Sequence, residues 1–241
     1  MIHFFTDIPP YTQETGLKPV AATAPDQKFV INIGRQLGSG GRQIGRILAK
    51  EFGIAYFDKE ILALAAKESG FCEEIFQRND EKKGFFSSMF GSVVPVFGNM
   101  EGDFYGNPMM FYGNQVSDEN LFRIQSDAIR KAASEQSCIF IGRCADYVLR
   151  DFPRCVNVFV AANEEDRIQR IMELAKVDEK EAEKMMVQGD SKRADFYNFY
   201  SSGEWGAAKT YHLCINSSLL GIEGTAQFIK DFVEKKLAAE K

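Results

Sequence analysis

Short apolar segments alternate along most of this chain with segments whose apolar residues recur at helical spacing. Such alternation is typical of an α/β fold in which parallel strands are buried between helices on both faces of the sheet. We predict strands at residues 28–33, 54–57, 138–141, 155–160 and 211–215. Because ligands bind at the carboxyl ends of parallel strands, the loops that follow these segments are the candidate functional regions.

Capping residues and glycines set the predicted helix boundaries. The helix after the first strand is expected to end at Gly53, since glycine favours the left-handed conformation that closes many helices. Asn163 and Asp178 are expected to cap two later helices, and Glu181 follows Asp178 at the spacing of a capping box. We predict that the second of these helices stops at Gly189.

Changes in composition divide the chain. Residues 1–26 contain four prolines and little periodicity, which indicates an extended N-terminal arm. Residues 27–241 are predicted to form one domain, with a helical lid region at 176–206 and an irregular insertion rich in Phe, Gly and Met at 72–116. The insertion is either packed on the core by its aromatic rings or a segment that covers a substrate, as long irregular loops often do.

Charge and composition exclude several classes of function. A net charge of -5 and a pI near 5.3 argue against nucleic acid or an anionic membrane as the main partner. The first residues lack the pattern of a secretory signal, and no apolar run is long enough to cross a bilayer. Five scattered cysteines and two histidines argue against a structural zinc site. We expect reduced cysteines and a cytoplasmic location.

The loop after the first predicted strand reads GRQLGSGGRQ, residues 34–43, and leads into a helix. Its glycines allow a tight turn and bring backbone N–H groups close to an anion, and the start of the helix adds a positive dipole. Two arginines lie in the same loop, so we predict that it binds phosphate rather than serving only as a turn. The residues expected to contact phosphate are Gly38, Ser39, Gly40, Gly41, Arg42 and Gln43.

This loop departs from the common phosphate loop, G-x-x-x-x-G-K-[ST], whose lysine reaches the β- and γ-phosphates and whose hydroxyl helps to hold Mg²⁺. If Gly40 is the last loop glycine, Gly41 and Arg42 occupy those two positions. If the loop is one residue longer, Arg42 and Gln43 occupy them instead. An arginine can supply positive charge and grip two oxygens, whereas only Ser39 offers a hydroxyl nearby.

Two further loops carry charged residues at predicted strand ends. Asp58 and Lys59 follow the second strand, where Asp58 either caps the next helix or contacts a substrate or Mg²⁺. Arg143 follows the third strand and lies at the edge where ligands bind. We expect it to contact a phosphate or carboxylate rather than only to pair with Asp146 or Asp151.

Residues 188–206 place Lys192 and Arg193 close to Asp190, ahead of a run of aromatic residues. This segment is either a solvated helix with packing aromatics or a lid whose basic pair lies over phosphates. Cys144 follows Arg143, but no histidine lies near it in the sequence to activate a thiol. We therefore do not assign Cys144 as a nucleophile.

The chain resembles nucleoside monophosphate kinases, specifically the cytidylate kinase-like family, over roughly residues 28–233. The stretches that carry the resemblance are FVINIGRQLGSGGRQIGRILAKEFGIAYFDKEIL, CIFIGRCADYVLRDFPRCVNVFVAANEEDRIQRIMEL, DSKRADFY and YHLCINSSLLGIEG. The resemblance implies a P-loop nucleotide-kinase-like fold. Its features are a five-stranded parallel sheet flanked by helices, a substrate-binding insertion and a small helical lid.

The same resemblance implies roles for individual residues. Residues 38–43 would hold the phosphates of donor ATP, Asn216 to Ser218 would lie near the adenine, and Asp190, Lys192 and Arg193 would belong to the lid. The implied catalytic set is Arg42, Arg143 and Arg193. Residues implied in acceptor binding are Arg35, Asp58, Lys59, Arg143 and Asp146. Mg²⁺ would arrive with ATP and be held through its phosphates, with Ser39 or Asp58 as the protein ligand.

Two departures from well-characterised cytidylate kinases bear on the reaction. Those enzymes have Lys-Ser where this chain has Gly41-Arg42, and Gly-Arg-Asp where it has Gly142-Arg143-Cys144. The leading hypothesis is an ATP-dependent phosphotransferase acting on a nucleoside monophosphate or similar small phosphate acceptor. The second is a nucleotide-binding sensor or partner-binding protein without turnover. A third interpretation treats the loop as a turn that binds nothing, and the arginines on three loops at the ligand edge argue against it.

Overall fold

The structure, a computed structural model, describes residues 28–58 and 118–240. The N-terminal arm, Lys59 and the predicted insertion at 72–116 lie outside the described residues. The elements in chain order are β1 Val30–Arg35, α1 Gly41–Phe52, β2 Ala55–Phe57, α2 Asp118–Glu135, β3 Cys138–Ile141, α3 Ala145–Val148, β4 Cys155–Ala161, α4 Glu164–Ala175, α5 Glu179–Tyr200, a 3₁₀ turn at Ala208–Thr210, β5 Leu213–Asn216 and α6 Gly221–Ala239.

The five strands form one parallel sheet in the order β2-β3-β1-β4-β5. Strand β1 is central, with Val30 opposite Cys138 of β3 on one side and Cys155 of β4 on the other. The predicted strands and the α/β class are confirmed. The connection after β1 runs to β2 on one side of the sheet, whereas the connection after β3 runs to β4 on the other side of β1. Connections that run in opposite directions leave a crevice at the carboxyl end of β1.

Alternate residues of the strands face two apolar cores. Ile31 and Ile33 of β1 pack with β4 and with helices α1 and α6, whereas Val30 packs with β3 and with helices α2 and α3. The strands are thus apolar on both faces, as buried parallel strands must be. Because helices cover both faces of the sheet, the loops at the carboxyl ends of the strands are the candidate regions for ligand binding.

Helices α4 and α5 pack on each other around a third apolar cluster, and one member of that cluster comes from the β1–α1 loop. Leu37 is buried there, and the helical members are Ile168, Ile171, Ala182, Met185 and Met186. Helix α5 does not stop at Gly189, as predicted from the sequence, but continues to Tyr200. Leu37 explains the glycine, since a β-carbon at position 189 would stand 2.8 Å from its Cδ2. The glycine thus makes room for the loop and does not end the helix.

The cap predictions have mixed outcomes. Gly53 closes α1 in the left-handed conformation, with φ 63°, and Asp178 caps α5 by accepting the N–H of Glu181 at 2.9 Å. Asn163 does precede α4, but its side chain makes no capping bond. Its Oδ1 instead accepts from the side-chain amide of Asn216 at 2.8 Å, so the expected cap holds two loops together.

Among the helices of the described residues, none has the length and apolar character needed to cross a membrane.

Candidate functional site

The backbone carbonyls of the β1–α1 loop are all engaged by donors of the protein. The Gln36 carbonyl accepts from the hydroxyl and the N–H of Ser39, at 2.9 and 3.3 Å. The Ser39 carbonyl accepts from the hydroxyl of Ser217 at 2.7 Å, and the Gly40 carbonyl from the N–H of Ile44 at 3.0 Å. These bonds turn the carbonyl side of the loop toward the protein.

Two arginines of α4 engage the remaining carbonyls. Arg167 Nε donates to the Leu37 carbonyl at 2.7 Å, and Arg170 Nη1 donates to that of Gly38. Five consecutive carbonyls, from Gln36 to Gly40, are therefore occupied. The loop has no carbonyl left to repel an anion.

The amide side of the same loop is different. Within the described part of the chain, the N–H groups of Gly38, Gly40 and Gly41 donate to no protein acceptor. Helix α1 begins at Gly41 without a side-chain cap and without an acidic residue in its first turn. N–H groups without a protein acceptor at an uncapped helix start favour an anion, because the N–H groups and the helix dipole both attract negative charge.

Glycine is required at two positions of this loop. Gly38 and Gly40 have φ of 77° and 78°, a region that side chains with a β-carbon rarely adopt. A β-carbon on Gly38 would also stand 2.6 Å from the carbonyl oxygen of Arg167. Close approach of α4 to the loop therefore depends on the absence of a side chain at Gly38.

A buried ion pair holds Leu37 from both sides. Asp190 of α5 accepts the Leu37 N–H at Oδ1, at 2.7 Å, and its other oxygen pairs with Arg167. Arg167 in turn binds the Leu37 carbonyl and is only 6% exposed. The peptide groups on both sides of Leu37 are thereby fixed by α4 and α5.

The expectation that Ser39 helps to hold Mg²⁺ conflicts with its environment. Ser39 is fully buried, and its hydroxyl donates to the Gln36 carbonyl at 2.9 Å. Its side chain therefore faces away from the surface of the loop where a nucleotide could bind. Among the described residues no group of three or more His, Cys, Asp or Glu side chains could hold a metal ion.

Arg42 is directed toward the end of β2. Its Nη2 lies 3.3 Å from Oδ2 of Asp58, and both side chains are largely buried. Since α1 begins at Gly41, a glycine follows the last left-handed residue of the loop, at the place where the common motif has lysine. The structure thus brings together Arg42 and Asp58, which the sequence had assigned to different roles.

Arg35 lies across the ends of two strands. A β-carbon on Gly41 would stand 2.7 Å from its Cβ and 3.0 Å from its Cγ, and one on Gly142 would collide with its Nη1. The side chain of Arg35 therefore leaves the end of β1, passes the first residue of α1 and reaches the turn after β3. Two glycines make this path possible.

Tyr56 of β2 lies close enough to three arginines for their charges to affect its pKa. Burial and the Asp58 carboxylate raise its pKa to about 12, against the opposing effect of Arg42, Arg46 and Arg35. Within the described residues its hydroxyl has no hydrogen-bond partner. The phenol therefore stays protonated at neutral pH and can donate a hydrogen bond at this edge of the sheet.

Arg143 is presented by an unusual turn. Gly142, Arg143 and Cys144 all have positive φ, of 69°, 63° and 53°, although only the first is a glycine. Such a conformation costs about 1–3 kcal/mol for each residue with a β-carbon. The guanidinium carbon of Arg143 lies 5.6 Å from the ring centre of Phe196 on α5, in a cation–π contact.

Asp146 is bonded within the protein. The Tyr197 hydroxyl donates to its Oδ2 at 2.5 Å. Burial raises the pKa of Asp146 above its ordinary value of 3.8, and the Tyr197 hydrogen bond partly opposes this shift. Asp151, the other acid considered as a partner of Arg143, lies 3.6 Å from Arg150.

Cys144 has the environment of a structural thiol. It is 2% exposed, and burial is the main cause that raises its pKa far above the ordinary value of 9.0, with Asp146 adding to the shift. A thiol held in the protonated state is a poor nucleophile. This agrees with the sequence argument against a catalytic cysteine.

Arg193 shares its partner with the loop. Its Nη1 lies 3.4 Å from Oδ1 of Asp190, the same oxygen that accepts the Leu37 N–H. Lys192 precedes it on α5 and is exposed. One carboxylate therefore connects Arg193 of α5 to the glycine loop.

The loop after β5 is tied to its neighbours. The Asn216 side chain donates to Asn163 at 2.8 Å and accepts the Ser218 N–H at 2.9 Å. Ser217 is fully buried and reaches the Ser39 carbonyl. In this arrangement the Asn216 amide organises the loop predicted to lie near an adenine.

Sequence reasoning did not assign Arg167 and Arg170 to the site, and it placed Ser217 near an adenine without its contact to the glycine loop; all three side chains bind carbonyls of that loop. The two arginines stand three residues apart at the start of the helix after β4, so their spacing places them on one helix face. That spacing was a signal, but the backbone target of each side chain depends on the tertiary structure.

The fold and the site together define a class of protein. A five-stranded parallel sheet carries a glycine-rich loop after its central strand, and arginines lie on neighbouring loops. This combination is that of a kinase-like α/β protein. The chain belongs to the cytidylate kinase-like family, whose model matches residues 30–219.

Several solved structures are similar to this chain to different degrees. An uncharacterised protein from Eubacterium ventriosum is similar with a TM-score of 0.63 and 25% identity, over 86% of this chain and 99% of that chain. Shikimate kinase from Bacteroides thetaiotaomicron gives 0.45 and 15%, over 86% and 98%. Shikimate kinase from Acinetobacter baumannii, in complex with shikimate, gives 0.46 and 14%, over 87% and 94%. Comparison with curated proteins found no match.

Proposed function

We propose that this protein is an ATP-dependent phosphotransferase that moves the γ-phosphoryl group of ATP to a nucleoside monophosphate or a similar small phosphate acceptor. One observation carries the proposal: the β1–α1 loop has every carbonyl from Gln36 to Gly40 bonded to the protein. The amides of Gly38, Gly40 and Gly41 have no such partner in the described part of the chain. A loop of this kind is suited to the phosphates of a nucleotide.

Arginines beside the loop support an acceptor that carries negative charge. Arg143 lies at the end of β3, and Arg42 pairs with Asp58 at the end of β2. Arg35 runs between them and the loop. One guanidinium group can bind two oxygens of the same phosphate. This edge of the sheet therefore suits a phosphate monoester better than a neutral alcohol.

The proposed reaction needs no covalent intermediate. An oxygen of the acceptor phosphate forms a bond to the γ-phosphorus, while the bond from that phosphorus to the β–γ bridging oxygen breaks. ADP leaves with the electron pair of the broken bond, and the acceptor becomes a diphosphate. Since the second pKa of a phosphate monoester is about 6, the attacking oxygen is already deprotonated at neutral pH. Catalysis then consists of positioning and charge neutralisation.

Mg²⁺ enters in this proposal with ATP, as part of the substrate. Ser39 does not fit as its ligand, because the hydroxyl is buried and donates to Gln36. Asp58 has the right chemistry but is paired with Arg42. We therefore assign most of the coordination to phosphate oxygens and water, as is usual for this ion.

The lid region at 176–206 is proposed to complete the site. Arg193 is held by Asp190, which also binds the loop. Because Asp190 also pairs with Arg167, the three side chains together keep a net positive charge beside the glycine loop. Replacing Arg193 by Ala is expected to lower turnover at least about 100-fold, as for charges that act on a transferring phosphoryl group. Lys184→Ala, on the same helix and 59% exposed, is the matched control.

A second candidate function is nucleotide binding without turnover. It is favoured by Gly41, which provides no side chain at the lysine position, and by the inward-facing hydroxyl of Ser39. Neither group of the common motif that acts on the γ-phosphate is therefore present in its usual form. A sensor or a partner-binding protein would need only the amide side of the loop.

One pair of measurements tests the two candidates. ADP release from MgATP is followed with a panel of nucleoside monophosphates and other phosphate monoesters, and ATP binding is measured by calorimetry. Binding together with acceptor-stimulated ADP release is the result expected for the phosphotransferase. Binding without stimulation by any acceptor would favour the second candidate, and absence of ATP binding would contradict both.

A further inference from the structure

We propose that Arg35, rather than Arg42, supplies the positive charge that a lysine supplies in the common phosphate loop. This assignment rests on the proposed function and names a catalytic group for it. Three observations support it: the space beside Gly41, the reach of the Arg35 side chain and the position of Arg42.

The space in which a lysine at position 41 would begin is filled by Arg35. A β-carbon on Gly41 would stand 2.7 Å from the Arg35 Cβ, a distance at which one of the two side chains must move. Gly41 is also buried, as the first residue of α1. The loop thus has room for one long cationic side chain, and that side chain starts from β1.

The side chain of Arg35 extends from the glycine loop to the turn after β3. It occupies the space beside Gly142, which has φ 69° and follows β3. The N–H of Gly142 bonds to the Ile33 carbonyl at 3.0 Å, so this turn lies directly beside the end of β1. Arg35 is therefore placed between the amides of the glycine loop and Arg143.

Arg42 is less suited to the role. Its Nη2 lies 3.3 Å from a carboxylate oxygen of Asp58, with side-chain exposures of 13% and 8%. A close and largely buried carboxylate offsets much of its charge. The pair instead marks the acceptor side of the site, at the end of β2.

The chemistry assigned to Arg35 is charge stabilisation. As the bond between the γ-phosphorus and the bridging oxygen breaks, negative charge grows on that oxygen and on the β-phosphate. The guanidinium donates hydrogen bonds to these oxygens and transfers no proton, because arginine stays protonated throughout the working pH range. It replaces the lysine in charge, and its planar fork of donors matches the geometry of two phosphate oxygens.

Relocating the charge tests this assignment. Affinity for ATP and for inorganic tripolyphosphate is measured by calorimetry for the natural chain, Arg35→Ala, Gly41→Lys and the double variant Arg35→Ala/Gly41→Lys. We expect Arg35→Ala to weaken both affinities at least tenfold. Gly41→Lys alone should bring no gain, since Arg35 fills the space. The double variant should bind at least tenfold more tightly than Arg35→Ala, because the lysine then has room. Arg130→Ala, a surface arginine of α2 at 55% exposure, is the control.

The outcomes separate this assignment from the function on which it rests. A natural chain that binds neither ATP nor tripolyphosphate overturns the proposed function and this assignment with it. A natural chain that binds both, with Arg35→Ala unchanged, overturns the assignment alone. A folded double variant that binds no better than Arg35→Ala also overturns it.

A second comparison applies if the double variant does not fold. Arg35→Lys and Arg35→Met differ in charge but are close in length. The lysine variant should keep more than a tenfold advantage in tripolyphosphate affinity over the methionine variant. Equal affinities in the two folded variants would mean that the side chain acts through its bulk, and the assignment would be wrong.

Discussion

Arg167 Nε donates to the carbonyl oxygen of Leu37 at 2.7 Å, across 130 residues of sequence. The same guanidinium pairs with Asp190, which accepts the N–H of Leu37. A buried charge thus fixes the geometry of a loop whose own side chains are small. Gly38 and Gly40 allow the loop to adopt this backbone conformation, and the Arg167–Asp190 pair stabilises it.

Replacing Arg167 by Met is expected to lower the free energy of unfolding by about 1–3 kcal/mol, because the buried Leu37 carbonyl loses its donor and Asp190 keeps only Arg193 and the Leu37 N–H. Urea denaturation measures the change. Lys184→Ala breaks an exposed pair with Glu181 on α5 and should cost less than about 1 kcal/mol. Similar losses in both variants would mean that the Arg167 pair is no stronger than a surface pair.

Replacing Ser217 by Ala is expected to cost about 1–3 kcal/mol, because the Ser39 carbonyl loses its donor in a buried place. Chemical denaturation gives the value. Ser218→Ala is the matched control, since that hydroxyl accepts the Asn163 N–H in a more exposed position and should cost less. Equal costs for the two serines would contradict this account of the loop.

Replacing Lys176 by Gly is expected to stabilise the protein by about 0.5–1 kcal/mol. Lys176 ends α4 in the left-handed conformation, with φ 57° and ψ 44°, which glycine adopts without steric cost. The side chain is exposed, so little packing is lost. Thermal unfolding should show a higher midpoint for Lys176→Gly but not for Lys176→Ala; a gain with Ala alone would point to a cause other than backbone conformation.

Replacing Asp146 by Asn should change the pH dependence of stability. Burial raises the pKa of Asp146 above 3.8 in the folded state, so the folded protein holds a proton that the unfolded chain releases. Stability from this group is full below pH 3.8 and is lost as pH rises through the folded pKa. Asparagine does not ionise, so the variant does not lose stability in this way as the pH rises. Its stability relative to the natural chain should therefore increase as the pH rises above 3.8.

Denaturation of both proteins at a series of pH values checks this prediction. The side-chain oxygen of the asparagine in the variant can still accept the Tyr197 hydroxyl, so the comparison isolates the charge. A difference in the free energy of unfolding that stays constant across the series would show that the carboxyl titrates alike in the folded and unfolded states.

Much of the fold could be predicted because its signals are local. The apolar strand segments, the helical spacing of α1 and the left-handed glycine at Gly53 each depend on neighbouring residues. The end of α5 could not be predicted in this way. Gly189 is a helix breaker by local preference, yet Leu37, from a distant part of the sequence, packs on it and the helix continues.

The sequence predicted which residues form the candidate site better than it predicted which groups they contact. The glycine loop and the arginines after β1 and β3 stand out because a parallel sheet brings strand ends together. Which way each arginine points depends on contacts between distant segments. Arg42 pairs with Asp58, and Arg35 occupies the space beside Gly41 and Gly142. Neither contact can be deduced from the sequence pattern.

Leu37 belongs at once to the glycine loop and to the apolar cluster of α4 and α5. The loop therefore cannot rearrange without exposing a buried leucine, and the two helices cannot separate without releasing the loop. We therefore expect the loop and the two helices to open as one cooperative unit. A ligand that binds the loop amides should stabilise that whole unit by mass action and slow amide hydrogen exchange along α4 and α5, including turns that never touch it.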